Sequence, residues 1–371
     1  MNDKDKLFQD LNKEVFKKKR QDIKDILANK KFLSIVIILI FVFTTITVGK
    51  TFYLRGKVND YEKEFIEITE KESTEMIIDN KQVISDDNLN KVAADELISC
   101  IKKTPTSKEL PDNVKNVIKK INSFYNQSLN YFSFKYKDLY TGFTVSYNEH
   151  QKIFSASSIK APKDIYLYEM ASLGKINLDD KLTYTGKYYN TGSGVLKNKK
   201  LNTKYTVRKL LEYSTVTSDN AAHNMLMDKY GRKNMLKFWQ ELGTEAIFTK
   251  KTNWGLTSAH DAVIYMEELY NFYLKDEVYG KELMNNFFNA YPTFLKGSNN
   301  YKVANKSGWA GTAIHDMAII FADNPYIVVA LSNTGTSNYT TYFNKANELA
   351  YELHTEYWKY KMKSCGNINQ Y

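Results

Sequence analysis

The chain has 371 residues, of which 43% are hydrophobic and 25% are charged, and its formal net charge is +10. This length and apolar content suffice for at least one large core and exclude a disordered tail. Lysine and arginine are spread along the chain and interleaved with acidic residues, which argues against nucleic acid as a partner and favours an anionic cell surface.

The first predicted element is a transmembrane helix at residues 32–49. The stretch FLSIVIILIFVFTTITVG carries no charge, and about 18 residues at 1.5 Å each nearly span a bilayer core of about 30 Å. A cleaved signal peptide is the alternative, but its apolar region is usually about 7 to 15 residues long and ends at small residues. Here Lys50, Thr51, Phe52 and Tyr53 follow, so an uncleaved anchor is favoured.

Lysine and arginine are more numerous in the flank just before this segment, at 17–31, than in the flank just after it, at 50–63. The positive-inside rule therefore puts the N-terminus in the cytoplasm and everything after Gly49 outside, as a single-pass cell-membrane protein. The predicted divisions are a basic cytoplasmic tail, the helix, an extracytoplasmic stalk with a linker, and a globular domain: 1–31, 32–49, 50–113 and 114–371. The linker ends in KKTPTSKELPDN, which is rich in turn-forming residues.

Within the globular domain, a helix from about Val114 precedes two runs rich in Tyr, Phe and Val, which flank the turn at 138–142 as a hairpin. Helices broken by glycines are expected from Pro162 to about Tyr273. AIHDMAIIFADNPYIVVALS then predicts two strands, and YFNKANELAYELHTEYWKY a closing amphipathic helix. This order predicts an α+β domain, with one antiparallel sheet whose first hairpin pairs with its last, packed against a helical block.

A serine and a lysine lie one helical turn apart in FSASSIKAP, at Ser157 and Lys160. Residues at i and i+3 share a helix face, so the pair is either a nucleophile with its own base or two solvated side chains near a helix start. Ser99 and Lys102 repeat the spacing. Spacing alone therefore does not separate the two interpretations.

Two further motifs follow in order. TSDN at 217–220 precedes the apolar-periodic run AAHNMLMDKYG and is, taken singly, an N-cap signal. NKSGWAG at 305–311 is, taken singly, a turn. Together the motifs form the ordered set S-x-x-K, S-D-N and K-[ST]-G. On these motifs, the chain resembles the class A β-lactamase-like serine hydrolases, which include penicillin-binding proteins, from about residue 114 to residue 360.

The resemblance extends to TGSGVL at 191–196, which matches the family's loop before the helix that follows the nucleophile helix. It implies that Ser157 is the nucleophile and that Lys160 takes the serine proton. Lys160 can do so only as a free amine, a form that burial near a second cation, Lys306, would favour. No cofactor and no metal are expected.

The remaining roles also come from the resemblance. Ser218 would relay a proton to the leaving nitrogen, whereas Asp219 is assigned a structural role. Backbone N–H groups of Ser157 and Trp309 would form the oxyanion hole, a kind of contact typically worth about 100- to 1,000-fold in rate. The residues assigned to substrate binding are Asn220, Lys306, Ser307 and Gly308.

One departure from the class A β-lactamases is large. Those enzymes carry an Ω-loop with E-x-x-L-N, whose glutamate activates the water that frees the acylated serine. The equivalent span here, LGTEAIFTKKTNWGLTSAHDAV, lacks that motif. Glu245 is the nearby candidate, but it lies early in the span and lacks the asparagine partner. Efficient hydrolysis of β-lactams is therefore not expected.

The leading functional hypothesis is a membrane-anchored serine acyl-transfer enzyme that acts on D-alanyl-D-alanine-type peptidoglycan peptides and is acylated by β-lactams. A β-lactamase, a β-lactam or wall-fragment sensor, and a catalytically idle wall-binding module are the alternatives. The short lysine-rich tail before residue 32 resembles no output domain, which disfavours the sensor. The complete set of motif residues disfavours the idle module.

Two cysteines and five histidines remain. Cys100 and Cys365 have no metal-type spacing and are either free or disulfide-bonded. The disulfide is possible because the first and last helices of the family pack side by side. The histidines likewise lack ligand spacing, and each is interpreted as a surface or packed residue. They are His150, His223, His260, His315 and His354.

Overall fold

The computed structural model describes residues 97–126, 131–245, 247–248, 253–297, 301–335 and 339–366. The helices are α1 (Asp112–Asn126), α2 (Lys160–Ser172), α3 (Val207–Val216), α4 (Asn220–Tyr230), α5 (Lys233–Glu241), α6 (Ala259–Lys275), α7 (Tyr279–Phe288) and α8 (Tyr339–Gly366). The strands are β1 (Phe132–Asp138), β2 (Thr144–Tyr147), β3 (Ile153–Phe154), β4 (Lys181–Tyr184), β5 (Thr203–Thr206), β6 (Ile247–Phe248), β7 (Gly255–Thr257), β8 (Lys302–Asn305), β9 (Gly308–Ala310), β10 (Ala313–Phe321) and β11 (Tyr326–Ser332). A short 3₁₀ turn, Ala156–Ile159, leads into α2.

The central element is an antiparallel sheet with the strand order β2-β1-β11-β10-β8, and β9 pairs with the end of β10. The predicted first hairpin, β1–β2, pairs with the last, β10–β11, through β1 and β11. Phe134, for example, lies opposite Ala330. The predicted pairing of the two hairpins is therefore confirmed.

Helices cover both faces of this sheet. Every residue of β11 is buried, and alternate residues point to opposite faces, as strand geometry requires. Ile327, Val329 and Leu331 pack with α2, α3, α4, α6 and α7 in one core. Tyr326 and Val328 pack with α1 and α8 in a second core. The sheet is thus the middle layer of three, a fuller arrangement than the single helical block predicted.

The middle of the chain contains short strands that the sequence-based prediction did not include. β4 pairs with β5, and β7 pairs with both β3 and β6. Strands of two to four residues are too short to give a clear alternation of polar and apolar side chains. Gly231, one of the glycines expected to break the helices of this region, follows the end of α4 with φ of +68°.

The segment predicted as a linker is fastened to the end of the domain. Residues 97–102 are helical, and Cys100 forms a disulfide with Cys365 of α8. Lys361 Nζ donates hydrogen bonds to the backbone carbonyls of Cys100 and Lys103, at 2.8 and 2.7 Å. The disulfide alternative left open by the sequence is thus the one found here.

Within the described residues, no helix is both long enough and apolar enough to cross a bilayer. The predicted transmembrane helix at 32–49, the basic tail at 1–31 and the stalk up to residue 96 lie outside these residues.

Candidate active site

The nucleophile candidate lies in a strained turn between β3 and α2. Ser157 belongs to the 3₁₀ turn, and Ala156 before it has φ of +46°, a left-handed conformation that costs a residue with a Cβ free energy. Ser157 is largely buried, with 8% of its surface exposed. Surrounding contacts must therefore hold this turn in place.

Strand β9 supplies one of those contacts. A Cβ atom at Gly308 would come within 2.7 Å of the Ser158 nitrogen and 3.0 Å of the Ser157 nitrogen. Only glycine allows the two backbones to approach this closely. The KSG motif and the SxxK motif, about 150 residues apart in sequence, are thus in direct contact at the backbone, with Trp309 next in β9.

His315 of β10 supplies a second contact. Its Nε2–H donates to the carbonyl of Phe154, at 2.7 Å, and its Nδ1 accepts from the N–H of Ser332, at 3.2 Å. Burial lowers the pKa of His315 to about 4, so the ring remains neutral. Of the two predicted interpretations, surface or packed, His315 is therefore the packed one, and it holds β3 against the central sheet just before the nucleophile.

Lys160, the first residue of α2, is fully buried at the centre of the site. Its Nζ lies 3.0 Å from Ser157 Oγ, 3.1 Å from Ser218 Oγ and 2.8 Å from Asn220 Oδ1, and it also donates to the Ser218 carbonyl. The lysine therefore joins the first two motifs through neutral oxygens.

The TSDN motif precedes α4 as an N-cap. Asp219 Oδ1 accepts from the N–H of Ala222, at 2.9 Å, which is the predicted capping contact. Its Oδ2 accepts from the N–H groups of Val195 and Leu196, both at 2.7 Å. Asp219 thus binds the 191–196 loop to the motif. Ser218 has φ of +53° and so, like Ala156, adopts a left-handed conformation.

The third motif completes the cluster from the other side. Lys306 is buried, and its Nζ lies 3.1 Å from Ser218 Oγ. Ser307 is buried beside it, whereas the Trp309 side chain is 47% exposed. The structure thus brings Ser157, Lys160, Ser218, Asn220 and Lys306 together, with Gly308 against the turn that carries Ser157.

The two lysines of this cluster have shifted acidities. Burial, followed by the charges of Lys306 and Lys163, lowers the pKa of Lys160 well below 10.5. Burial also lowers the pKa of Lys306, to about 8. Lys160 and Lys306 both contact the Ser218 hydroxyl, and two ammonium groups that close together in a buried site would repel each other. The free-amine form of Lys160 is therefore favoured.

A model of the β-lactamase enzyme family matches residues 113–354 of the chain, well over half of its length. The chain belongs to this family. A search of curated proteins finds no match.

Solved structures with the same fold include both penicillin-binding proteins and β-lactamases. A variant of PBP-A, solved as an acyl-enzyme complex with penicillin G, aligns with a TM-score of 0.59 at 18% identity, over 66% of this chain and 97% of PBP-A. A reconstructed class A β-lactamase of the last common ancestor of Gram-negative bacteria aligns with a TM-score of 0.56 at 18% identity, over 65% of this chain and 99% of that enzyme. A β-lactamase from Chitinophaga pinensis aligns with a TM-score of 0.57 at 17% identity, over 66% of this chain and 98% of that enzyme. At these identities the likeness establishes the fold.

The sequence-based prediction missed two features of this β-lactamase-family site. Lys163 and Asp164 form a buried ion pair one turn beyond Lys160, at 2.5 Å. The signal for it was a pair of adjacent opposite charges in the first turns of the helix that begins at Lys160. Trp254 lies with its ring centroid 5.2 Å from Lys160 Nζ. Nothing in the surrounding NWG sequence indicated that contact.

Glu245 lies away from the site. Its carboxylate contacts His150, at 3.2 Å, and Lys152, at 3.5 Å. The sequence from residue 246 to residue 260, which lies between Glu245 and Asp261, contains no aspartate or glutamate. The structure therefore gives no support to Glu245 as the residue that activates a water at Ser157.

Proposed function

We propose that this protein is a serine acyl-transfer enzyme that acts on D-alanyl-D-alanine-type peptidoglycan peptides and is acylated by β-lactams. The observation that carries the proposal is the position of Lys160 Nζ, between the hydroxyls of Ser157 and Ser218 and without a carboxylate partner among the described residues.

Hydrogen-bond accounting supports Lys160 as the base. A neutral amine has two N–H donors and one lone pair. The Ser218 carbonyl and Asn220 Oδ1 only accept, so they take both donors. The lone pair is then left for the proton of Ser157, 3.0 Å away. The neutral form is the one favoured by burial and by the charge of Lys306.

The proposed reaction uses this arrangement in two steps. Ser157 Oγ passes its proton to Lys160 and attacks the substrate carbonyl, whose oxygen would be held by backbone N–H groups of Ser157 and Trp309. The carbon–nitrogen bond then breaks, and the leaving nitrogen takes a proton through Ser218. Lys306 supports this transfer because its Nζ contacts Ser218 Oγ, and a charged Lys306 would also attract the substrate's carboxylate.

Substrate choice follows from what happens after acylation. A β-lactam ring opens without releasing a fragment, so the drug stays on Ser157 and obstructs water. A D-alanyl peptide loses its terminal D-alanine, which opens the site to water or to an amine acceptor. With no carboxylate in 246–260, we expect a long-lived penicilloyl-enzyme and measurable release of D-alanine from a wall-peptide analogue.

The proposed location is the outer face of the cell membrane. The uncharged stretch at 32–49 would anchor the chain with its basic tail in the cytoplasm. The catalytic domain would then face the cell wall, where D-alanyl-D-alanine ends occur.

The deciding experiment incubates the full-length protein with benzylpenicillin and follows protein mass and drug concentration together. We expect one penicilloyl adduct on the peptide that contains Ser157 and little loss of free drug. Ser157→Ala should remove the adduct without unfolding the protein. An adduct that persists in this variant would refute the assignment, and rapid drug loss would favour the β-lactamase alternative.

Ser99→Ala is the matched control, because Ser99 and Lys102 have the same S-x-x-K spacing. Ser99 is exposed, and Lys102 Nζ lies 5.9 Å from the ring centroid of Tyr140, on the surface. The Ser99→Ala protein should therefore be acylated at the wild-type rate.

A further inference from the structure

Two histidines and a glutamate meet outside the active site. Glu149 and His150 lie in the connection from β2 to β3, and His260 lies in the first turn of α6. One possible ligand atom of each lies within 4.8 Å of the other two. The two imidazole rings are 4.7 Å apart between centroids. Residues 148–151 line a surface cavity of about 470 Å³ at this place.

His260 is oriented as a ligand. Its Nε2 lies 3.2 Å from the carbonyl of Gly243, which can only accept, so Nε2 carries the proton and Nδ1 carries the lone pair. Nδ1 lies 3.8 Å from Glu149 Oε2, and the backbone N–H of His260 donates to the Glu149 carbonyl at 2.9 Å. Metal-bound histidines commonly donate their second N–H to a backbone carbonyl in this way.

His150 has a comparable partner. Its Nδ1 lies 3.2 Å from Glu245 Oε1, and a carboxylate accepts the proton from this nitrogen. Nε2 then carries the lone pair. A carboxylate behind an imidazole fixes the tautomer and strengthens the imidazole as a ligand. This arrangement gives Glu245 a role that does not involve Ser157.

We propose that Glu149, His150 and His260 bind one divalent transition metal ion, with Zn²⁺ as the best match, and that Glu245 supports His150 from behind. Two imidazoles and a carboxylate are a typical zinc set, with water as the fourth ligand. Ligand atoms around tetrahedral zinc are about 3.4 Å apart, so the side chains must close by roughly an ångström. All three are partly exposed, which leaves them room to rotate.

Two lysines oppose the ion. Lys135 forms an ion pair with Glu149, and Lys152 lies 3.5 Å from Glu245. A metal must displace Lys135 from the Glu149 carboxylate. Removing the Lys135 charge should therefore strengthen metal binding, a change of opposite sign to that of removing a ligand.

The bound metal would join three segments near the nucleophile. These are the connection that enters β3, the residues at 243–245 and the start of α6. β3 leads directly into the turn that carries Ser157. Because an ion that binds only the folded protein stabilises it, we expect zinc to raise the melting temperature and to stabilise the small sheet of β3, β7 and β6.

The other histidines and both cysteines do not compete for the ion. His223, His315 and His354 are buried, and Cys100 and Cys365 are joined in the disulfide. Imidazole-dependent binding by the untagged chain can therefore be attributed to His150 and His260.

The test titrates the untagged full-length protein with Co²⁺, followed by its visible absorption, and with Zn²⁺, followed by calorimetry. We expect one equivalent of each, which bind at the same place. His260→Gln, whose amide keeps a donor for the Gly243 carbonyl, should abolish the Co²⁺ bands. Glu245→Gln should weaken binding by about 10- to 100-fold, and Lys135→Met should tighten it. Acylation of Ser157 should continue in all three variants.

Glu267→Gln is the matched control, because Glu267 of α6 is, like Glu149, a partly exposed glutamate that pairs with a lysine of β1, here Lys137 at 2.5 Å. This variant should bind as the wild type does. The proposal is wrong if the wild type shows no saturable binding below millimolar metal, or if His260→Gln and the wild type bind alike.

Discussion

Lys160 and Lys163 lie one turn apart on α2, and both are fully buried, yet their neighbours differ. Lys163 Nζ lies 2.5 Å from Asp164 Oδ1 and donates to Ser214 Oγ at 2.9 Å. Asp164 Oδ2 accepts from the hydroxyls of Ser214 and Thr215, both at 2.9 Å. The hydrogen-bond acceptors around Lys160 Nζ are all neutral oxygens, and no carboxylate among the described residues pairs with it. One lysine has a carboxylate to balance its charge, and the other does not.

Burial is the largest cause of a lowered pKa at both positions. Asp164 opposes the shift at Lys163, whereas the next contributions at Lys160, from Lys306 and Lys163, lower its pKa further. A buried lysine can thus be structural or chemically active, and the nearest charges decide which. We conclude that Lys163 holds α2 against α3 and that Lys160 is able to give up its proton.

Replacing Lys160 should have the largest effect on acylation. Lys160→Met keeps most of the side-chain volume but removes the amine, so Ser157 loses the group that takes its proton. We expect penicillin to acylate this variant about 100- to 10,000-fold more slowly, the loss typical of removing a general base. Stopped-flow or mass measurements of adduct formation give the rate. Unchanged acylation would mean that another group is the base.

Lys163→Met should act on stability instead. It leaves the Asp164 carboxylate buried without its cation, which typically costs about 3–5 kcal/mol in the free energy of unfolding. Urea denaturation measures this loss, and acylation by the protein that remains folded should change far less than in Lys160→Met.

Adding Asp164→Asn to Lys163→Met provides the control. The double variant removes both charges, so it should recover most of the lost stability. If it is as unstable as the single variant, packing rather than charge explains the effect of Lys163. The contrast between the two lysines would then fail.

The sequence was sufficient to predict the parts of the fold and the site that local patterns encode. The hairpin at 138–142 and the strands on either side of Asp323 were predictable from residue alternation and turn residues. The chain order of the three motifs indicated which side chains meet, and the structure brings Ser157, Ser218 and Lys306 together.

What the sequence did not predict depends on contacts between distant segments. The sequence around Gly308 does not indicate that the turn at Ser157 packs against this residue, where a Cβ atom would clash with it. The contact of Trp254 with Lys160 likewise depends on how β7 pairs with β3, a pairing of two residues. The meeting of His150 and His260, 110 positions apart, follows from the same small sheet. Short-range patterns carry no information about such contacts.

The pH dependence of acylation tests the role of Lys306, the cation that shares the Ser218 hydroxyl with Lys160. The rate should rise with pH until Lys160 is neutral, and then fall above about pH 8, where Lys306, whose pKa burial lowers to about 8, loses the charge that attracts the penicillin carboxylate. We expect a fall of about tenfold per pH unit on this limb, since one proton is lost.

Lys306→Arg should remove the falling limb, because arginine remains charged at these pH values. The measurement is the second-order acylation rate constant between pH 6 and pH 10. A falling limb that stays near pH 8 in this variant would assign it to another group.

Glu245→Gln should have the smallest effect on the chemistry. Glu245 contacts His150 and Lys152, not Lys160 or Ser157. It is therefore not placed to activate the water that would free penicilloyl-Ser157. We expect the adduct of this variant to decay as slowly as that of the wild type, followed by mass spectrometry after excess drug is removed. Slow decay in both proteins, with D-alanine still released from a wall-peptide analogue, fits an acyl-transfer enzyme. Rapid penicillin turnover in the wild type that Glu245→Gln abolishes would show that a carboxylate does reach Lys160 and Ser157 during the reaction. The contrast with Lys163 would then disappear, and the β-lactamase alternative would be correct.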